Sequence, residues 1–409
     1  MNFKKIIVFA IVTEITIGVW AATPQVKNVR AFQQYPWGQV CISYEVLGDV
    51  AVSAGSGGKT ILSIVAKDKT TGYIYGGSHS GDYFLSGDTG TASGLHKVIW
   101  SMAPQGITIN SDNVVFKVEY VTLPQYHQQQ YCVIDLSSGP KSIFYPVIYT
   151  DSPPSGGFNT DEYKTTKLVL RRIEHGTFMM GSGRDVDSWL RHRVTLTKSF
   201  YVSVFEVTER QWELVMGRDS QPYVFYPEYR MGDRYPVRFI QVGYVRAGSW
   251  PRSSDLIDPN AVTFCGKLLA RTGIGGFDLP TEAQWEYACQ AGSTHNYSYG
   301  EDENGDYMWY SANSGGALHP VGTKLPNAWG LYDVHGNVEE RCLDWYDKNA
   351  GCPEDCEDPK GADLSVSSFR VVRGGSYKDI AWECYSSYRN ALAGTAKTVG
   401  FRLVLNLTD

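Results

Sequence analysis

The sequence predicts an α+β protein in two parts: an all-β segment, then a longer segment of short strands, long loops and two helices. Three observations carry this. Apolar and polar residues alternate with period two through the first third of the chain. A Pro, Ser and Gly run near residue 155 separates that third from the rest. Beyond the run, strong helix-start signals occur at only two places.

In chain order, Met1-Asn2-Phe3-Lys4-Lys5 leads into the apolar run Ile6 to Val12, and Val19-Trp20-Ala21 supplies small residues at a cleavage position. A basic start followed by a short apolar stretch reads as a secretory signal over residues 1–22. Glu14 interrupts the run, which counts more heavily against the competing reading of an uncleaved anchor, because a spanning helix needs about 20 predominantly apolar residues. No other stretch has that length and character, so no membrane span is expected beyond the signal. The expected location is outside the cytoplasm: periplasmic, cell-surface or secreted.

Residues 23–150 read as a β-sandwich domain. Val40, Ile42, Tyr44 and Val46 alternate with Gln39, Cys41, Ser43 and Glu45, and Val114, Phe116, Val118 and Tyr120 repeat the pattern. Further short strands are expected over Thr60–Ala66, Tyr73–Tyr75 and Lys97–Trp100, with Gly, Ser and Asp clusters between them. Several short strands punctuated by turns point to an immunoglobulin-like or fibronectin-like sandwich. The Gly-rich stretch Ser53 to Thr60 imitates a phosphate loop, but it lacks the first glycine and precedes a strand. With no helix N-terminus behind it, it is a hairpin turn.

Asp151-Ser152-Pro153-Pro154-Ser155-Gly156-Gly157 opens a linker over residues 151–164. In the remaining 165–409, one helix is expected over Thr208–Met216. The other follows Pro280, where Thr281 caps the helix and Gln284 reaches back to close a capping box.

Charge narrows the function classes. The chain of 409 residues has a formal charge of -6 and no concentrated run of Lys or Arg, which argues against nucleic acid as a partner. Eight cysteines (Cys41, Cys132, Cys265, Cys289, Cys342, Cys352, Cys356 and Cys384) would meet an oxidising compartment after export. Cys352 and Cys356 stand close enough to close a local disulfide loop, with free thiols as the alternative. A metal knuckle there lacks a second pair of ligands. A Cys41–Cys132 disulfide, outside the sandwich core, is compatible with the pattern.

Six motifs then occur in order: Phe178-Met179-Met180-Gly181-Ser182, Phe205-Glu206-Val207-Thr208, Leu279-Pro280-Thr281-Glu282-Ala283-Gln284-Trp285-Glu286-Tyr287-Ala288, Gly330 to Val338, Arg373-Gly374-Gly375-Ser376-Tyr377 and Gly400-Phe401-Arg402. Over residues 165 to 406 the chain resembles the sulfatase-modifying factor family, founded on the formylglycine-generating enzyme. The resemblance implies a variant of the C-type lectin fold with bound calcium. It also implies an oxidase that holds copper(I) between two thiolates, a donor type suited to that soft ion, and converts a substrate cysteine to formylglycine.

The carry-over to individual residues is uneven. Ser376 matches the serine of the family's glycine-serine turn and Cys384 its second active-site cysteine, so these two are the candidate catalytic residues. Asp379 stands where the first cysteine belongs. Cys342 is the remaining cysteine in a recognised motif that would have to supply a second soft ligand. The bland reading of Cys384 is a buried or disulfide-bonded structural residue. For calcium, the matching residues are Asp333, Gly336, Val338 and Glu340, two carboxylates and two carbonyls suited to a hard cation. The bland reading is that the two acids cap a turn. A second site would begin at Asn313 and Ser314. Glu339 and Arg341 replace the aromatic residues that usually flank the acidic ligand.

No other catalytic arrangement is found. The eight histidines lack metalloprotease spacing, and His335 and His192 read as packing or surface residues. Two functions remain. One is an exported, calcium-stabilised module for binding or scaffolding, with a protein or glycan as ligand and Trp382, Tyr385, Ser386, Ser387, Tyr388 and Asn390 as recognition-type residues that alternatively pack beneath the last loops. The other is a copper-dependent oxidase acting in sulfatase maturation.

Overall fold

The computed structural model describes residues 25–34, 39–47, 59–68, 74–79, 85–87, 94–101 and 114–123, and then 129–142, 145–181, 191–218, 220, 227–246, 263–272, 274–347, 355–362 and 368–407. The chain divides into two compact units, Met1–Tyr126 and His127–Asp409. The signal segment, the Gly-rich turn at 53–58 and Cys352 lie outside the described residues.

In the first unit the period-two pattern becomes two antiparallel sheets. Gln25–Gln34, Gln39–Leu47, Gly94–Ser101 and Leu85–Gly87 lie side by side in that order, and Ile74–His79, Lys59–Asp68 and Val114–Leu123 form the other sheet. Ile42, Tyr44 and Val46 are fully buried, as alternation requires of a sheet with one face inward.

The second unit starts earlier than residue 165. Tyr131–Asp135 pairs antiparallel with Lys167–Ile173, setting Leu170 opposite Cys132, and Val147–Thr150 extends the same sheet. The expected linker is also partly ordered. It carries the short helix Asp161–Thr165, and Phe158 packs its ring 4.7 Å from Tyr131 and 4.8 Å from Tyr163. The boundary therefore falls near residue 126 rather than 150. Cys132 lies in this sheet as a buried free thiol, so the Cys41–Cys132 disulfide is not formed.

Six strands make the main sheet: Phe277–Asp278, Val404–Asn406, Phe200–Ser203, Lys167–Ile173, Tyr131–Asp135 and Val147–Thr150. The two expected helices form as Glu209–Met216 and Glu282–Gln290. In both, the N-cap threonine and the glutamine three residues on complete a reciprocal capping box. A further helix, Phe264–Thr272, has no counterpart in the sequence reading; its Phe264 ring stacks on Trp212 at 5.3 Å in the core. No helix among the described residues is long and apolar enough to cross a membrane.

A smaller sheet positions the recognised motifs. Glu339–Trp345 pairs antiparallel with Arg370–Arg373, Glu340 opposite Arg373, with Arg389–Leu392 and Val399–Gly400 at the two edges. This brings the Gly-Asn turn before Glu339 against the Gly-Gly-Ser turn after Arg373. Gly336 donates its N–H to the Gly374 carbonyl at 2.8 Å, and Tyr377 donates to the Asn337 carbonyl at 2.8 Å. Gly336 is obligatory here: φ is +79°, and a Cβ would lie 2.1 Å from the Trp309 carbonyl oxygen.

Candidate functional site

At the Gly-Gly-Ser turn, Gly375 has φ +69°, and a Cβ there would meet the Cys384 sulfur at 2.6 Å. The absence of a side chain lets the turn close directly over the thiol. Ser376 is fully buried just beyond it. Its backbone N–H and its hydroxyl both donate to Oδ2 of Asp379, at 2.8 and 2.7 Å. The residue standing at the family's first cysteine position is thus a two-pronged clasp on the turn.

Cys384 ends the 3₁₀ turn Ala381–Cys384 and is fully buried among Tyr297, Met308 and Tyr310. Burial, reinforced by the negative charges of Asp379, Glu383 and Glu339, pushes its thiol well above the usual range. A thiol so placed stays protonated, and it is the thiolate that binds metal and attacks. Cys342 does not complete a pair. It packs in a different core cluster, with Trp285, Val334 and Val371, while Cys384 sits with the tyrosines.

A different cysteine is linked to the Cys384 loop. The Cys289 thiol sits 3.6 Å from Ser386 Oγ and 3.8 Å from His335 Nε2, and His335 Nδ1 lies 2.8 Å from the Cys384 carbonyl oxygen. A ring nitrogen facing a carbonyl must donate, and the other nitrogen accepts the Ser298 N–H at 3.1 Å, so His335 is the neutral Nδ1–H tautomer. Burial lowers its pKa to about 4, and it raises that of Cys289 to about 12. His335 is therefore a packing histidine and not a surface one. The arrangement organises the loop without supplying a base or a thiolate.

The residues that replace the family's aromatic pair are buried too. Glu339 accepts from Asn390 Nδ2 at 2.8 Å, and burial raises its carboxyl to about 7, with Asp379 and Glu383 adding to the shift. Arg341 donates to the carbonyls of Ile240 and Gly394, and burial lowers its pKa to about 10. Both tie loops together across the small sheet.

The four expected calcium ligands share one turn and its outgoing strand, but their atoms are differently committed. Asp333, at φ +57°, accepts the Gly322 N–H through Oδ2, and its buried Oδ1 has no partner. Glu340 spends both oxygens on Arg402, which grips it through Nε and Nη2, and Oε2 also accepts from Trp285 Nε1 at 2.7 Å. Asp333 thus fits a hard cation, whereas Glu340 reads as an ion-paired core residue. At the second expected site, Asn313 Oδ1 accepts from the Tyr310 N–H at 3.0 Å and Ser314 Oγ donates to the Tyr377 carbonyl at 2.6 Å. Those atoms serve the loop's own folding. Among the described residues no three His, Cys, Asp or Glu side chains gather as a metal site, so a cation at the first turn would depend on the carbonyls of Gly336 and Val338.

Sequence reasoning missed Glu206 as part of this turn. Its carboxylate accepts from Asn337 Nδ2 at 2.7 Å and from the Val338 N–H at 3.1 Å. Burial first, then Asp333 and Glu340, raises its pKa. The signal was available: a lone carboxylate within the run Val204-Phe205-Glu206-Val207 must be buried, and a buried acid needs donors. Of the recognition-type residues, Trp382 and Asn390 are exposed, whereas Ser386, Ser387 and Tyr388 are buried. The exposed surface here is Trp382 with its neighbour Ile380, at 43% and 48% exposure.

Residues 156–407 match the family described as sulfatase-modifying factor enzyme 1-like domain. Among curated proteins the chain is 28% identical over 241 residues to the chaperone protein LppX of Paenibacillus barcinonensis, covering 51% of this chain and 78% of that one. To the formylglycine-generating enzyme of Thermomonospora curvata it is 31% identical over 271 residues, covering 55% and 86%. To the serine/threonine-protein kinase pkn1 of Chlamydia pneumoniae it is 30% identical over 264 residues, covering 59% of this chain but only 38% of the kinase.

Proposed function

This chain belongs to the family of sulfatase-modifying factor enzyme 1-like domains, and from that premise we propose that it is a divergent member whose family domain binds or scaffolds instead of oxidising. The observation that carries the reading is the Asp379–Ser376 clasp. Paired soft thiolates are what copper(I) requires, and here one position holds a hard carboxylate already spent on two hydrogen bonds, while the other holds a sealed, protonated thiol. The relatives it resembles are named as a chaperone, a kinase and a formylglycine-generating enzyme, which agrees with a fold that hosts several functions.

The finer architecture is part of the same proposal. We read the family domain as a C-type lectin variant and the first unit as an immunoglobulin-like or fibronectin-like sandwich; two antiparallel sheets of four and three strands support the second half of that reading. The basic and apolar start of the chain supports export. Calcium at the Asp333 turn is supported by the buried, unpartnered Oδ1 of Asp333.

Copper(I) titration of the reduced protein, with Cys384→Ser as control, tests the central reading. Weak binding that ignores the substitution is expected. Tight binding lost in Cys384→Ser, together with conversion of a peptide cysteine to formylglycine, would establish the oxidase and end the binding proposal. For calcium, the melting temperature should rise with added calcium in the parent and not in Asp333→Asn, since a ligand that binds the native state alone stabilises it by about 2.7 kcal/mol at a hundred times its Kd.

A further inference from the structure

We infer that a cleft on the family domain, lined in part by Ser386 and Ser387 of the loop after Cys384, is a binding site for a neutral sugar. The inference rests on the reading of this domain as a binding module and names the ligand class. The cleft encloses about 470 Å³ between the edge strand Gly176–Met180, the C-terminal end of the helix Glu282–Gln290 and the loop that follows it. That volume suits one or two sugar rings.

Its wall is aromatic. Phe178, Tyr287 and Trp329 are each half-buried, the Tyr287 ring lying 5.0 Å from each of the other two and inclined to them by 44° and 73°. A pyranose presents an apolar C–H face to such a wall and a fringe of hydroxyls around it. Thr294 and Asn296 meet that fringe with small polar groups, beside the longer polar side chains of Gln290, Arg191 and Arg193.

The helix dipole and the main-chain geometry weigh against the competing ligands. The cleft opens at a helix C-terminus, with Ala291 as a left-handed cap, and the negative end of the helix dipole disfavours phosphate or another anion. Of the basic side chains in the lining, Arg193 pairs with Asp355 at 3.1 Å and His295 faces Glu301 at 2.9 Å, while Arg191 stands exposed beside them. A peptide adding to the edge strand would need free backbone groups, yet Gln290 Nε2 already occupies the Met179 carbonyl at 3.1 Å.

The test is saturation-transfer NMR of the full chain with chitotriose, maltotriose and mannotriose, each at about 5 mM, against inorganic phosphate and a capped tripeptide. At least one sugar should show transfer, and Thr294→Trp, which fills the cleft from its exposed rim, should weaken that binding at least about tenfold with an unchanged melting temperature. Trp329→Ala should do the same where it folds; Thr294→Trp carries the test where it does not. Absence of transfer to all three sugars overturns the inference, as does sugar binding that Thr294→Trp leaves intact. Preference for the tripeptide or phosphate overturns it too. A negative sugar result with weak, Cys384-independent copper(I) binding sinks this ligand class alone, whereas tight copper(I) binding at Cys384 sinks the module reading itself.

Discussion

Arg373 immediately precedes the Gly-Gly-Ser turn and is fully buried between two acids of one helix face, Glu282 and Glu286. Its Nη2 holds Glu286 and the Ser386 carbonyl, and its Nη1 holds the Tyr388 carbonyl, while Arg389 takes both oxygens of Glu282. Two carboxylates thus face two guanidiniums. Arg373→Met keeps the bulk and removes one cation, leaving an uncompensated buried carboxylate, which costs about 3–5 kcal/mol. For a domain of this size that corresponds to a fall in melting temperature on the order of 10 °C.

The loss has a pH signature. Burial already raises the Glu286 carboxyl above its ordinary value, and Arg373 is the first factor opposing the rise. An acid with a raised folded pKa contributes stability that is complete below its unfolded value, about 4.3, and is lost as pH climbs through the folded one. Removing Arg373 widens that window. Urea unfolding should therefore show a larger penalty for Arg373→Met at pH 8 than at pH 5, and adding Glu286→Gln should recover at least about 1 kcal/mol at pH 8. A penalty under about 1 kcal/mol, or one equal at both pH values, would refute the buried-charge argument.

Three further outcomes are expected. Gly375→Ala forces a Cβ onto the Cys384 sulfur and the Glu383 carbonyl at a positive φ, so unfolding should show a loss of at least about 2 kcal/mol. Asp344, raised to about 7 mainly by burial, with Glu282 adding, should make stability fall as pH climbs from about 4 towards 7; in Asp344→Asn that slope should flatten, and an unchanged slope would acquit the residue. Cys384 in the native chain should resist iodoacetamide at pH 8 and label fully in urea, read by mass spectrometry, because its thiol is both buried and protonated.

What was legible followed local rules. Thr281 with Gln284 announces its helix because a capping box needs only four consecutive residues, and the structure closes the same box at Thr208 and Gln211. The helix Phe264–Thr272 was silent: Gly266 falls in its first turn and weakens the propensity, and the Thr263 hydroxyl that caps Gly266 at 3.1 Å is not followed by a Glu or Gln at the box position. The unit boundary failed for a different reason. Tyr131–Asp135 reads as one more short strand after those before it, and only its pairing with Lys167–Ile173, more than thirty residues on, assigns it to the second unit. The site divided along the same line. Motif order identified the turn, whereas the link from Cys289 through His335 to the Cys384 loop came from packing between a helix and two loops.

The change at residue 379 alters two properties at once, and stability measurements separate them. A cysteine there would offer copper(I) a soft ligand, but sulfur is a weak hydrogen-bond acceptor, and it would leave the buried Ser376 N–H and hydroxyl without a good partner. The carboxylate is a harder donor for that ion and forms the clasp, with two bonds to a fully buried residue. Leaving those donors unsatisfied costs about 1–3 kcal/mol. Asp379→Ala and Asp379→Cys should both lose about that much in urea unfolding, while Asp379→Asn, which keeps one neutral acceptor oxygen, should fall between them and the parent. If Asp379→Cys proved as stable as the parent, the carboxylate would have no structural role, and its presence would have to be explained by a ligand or a reaction at the turn.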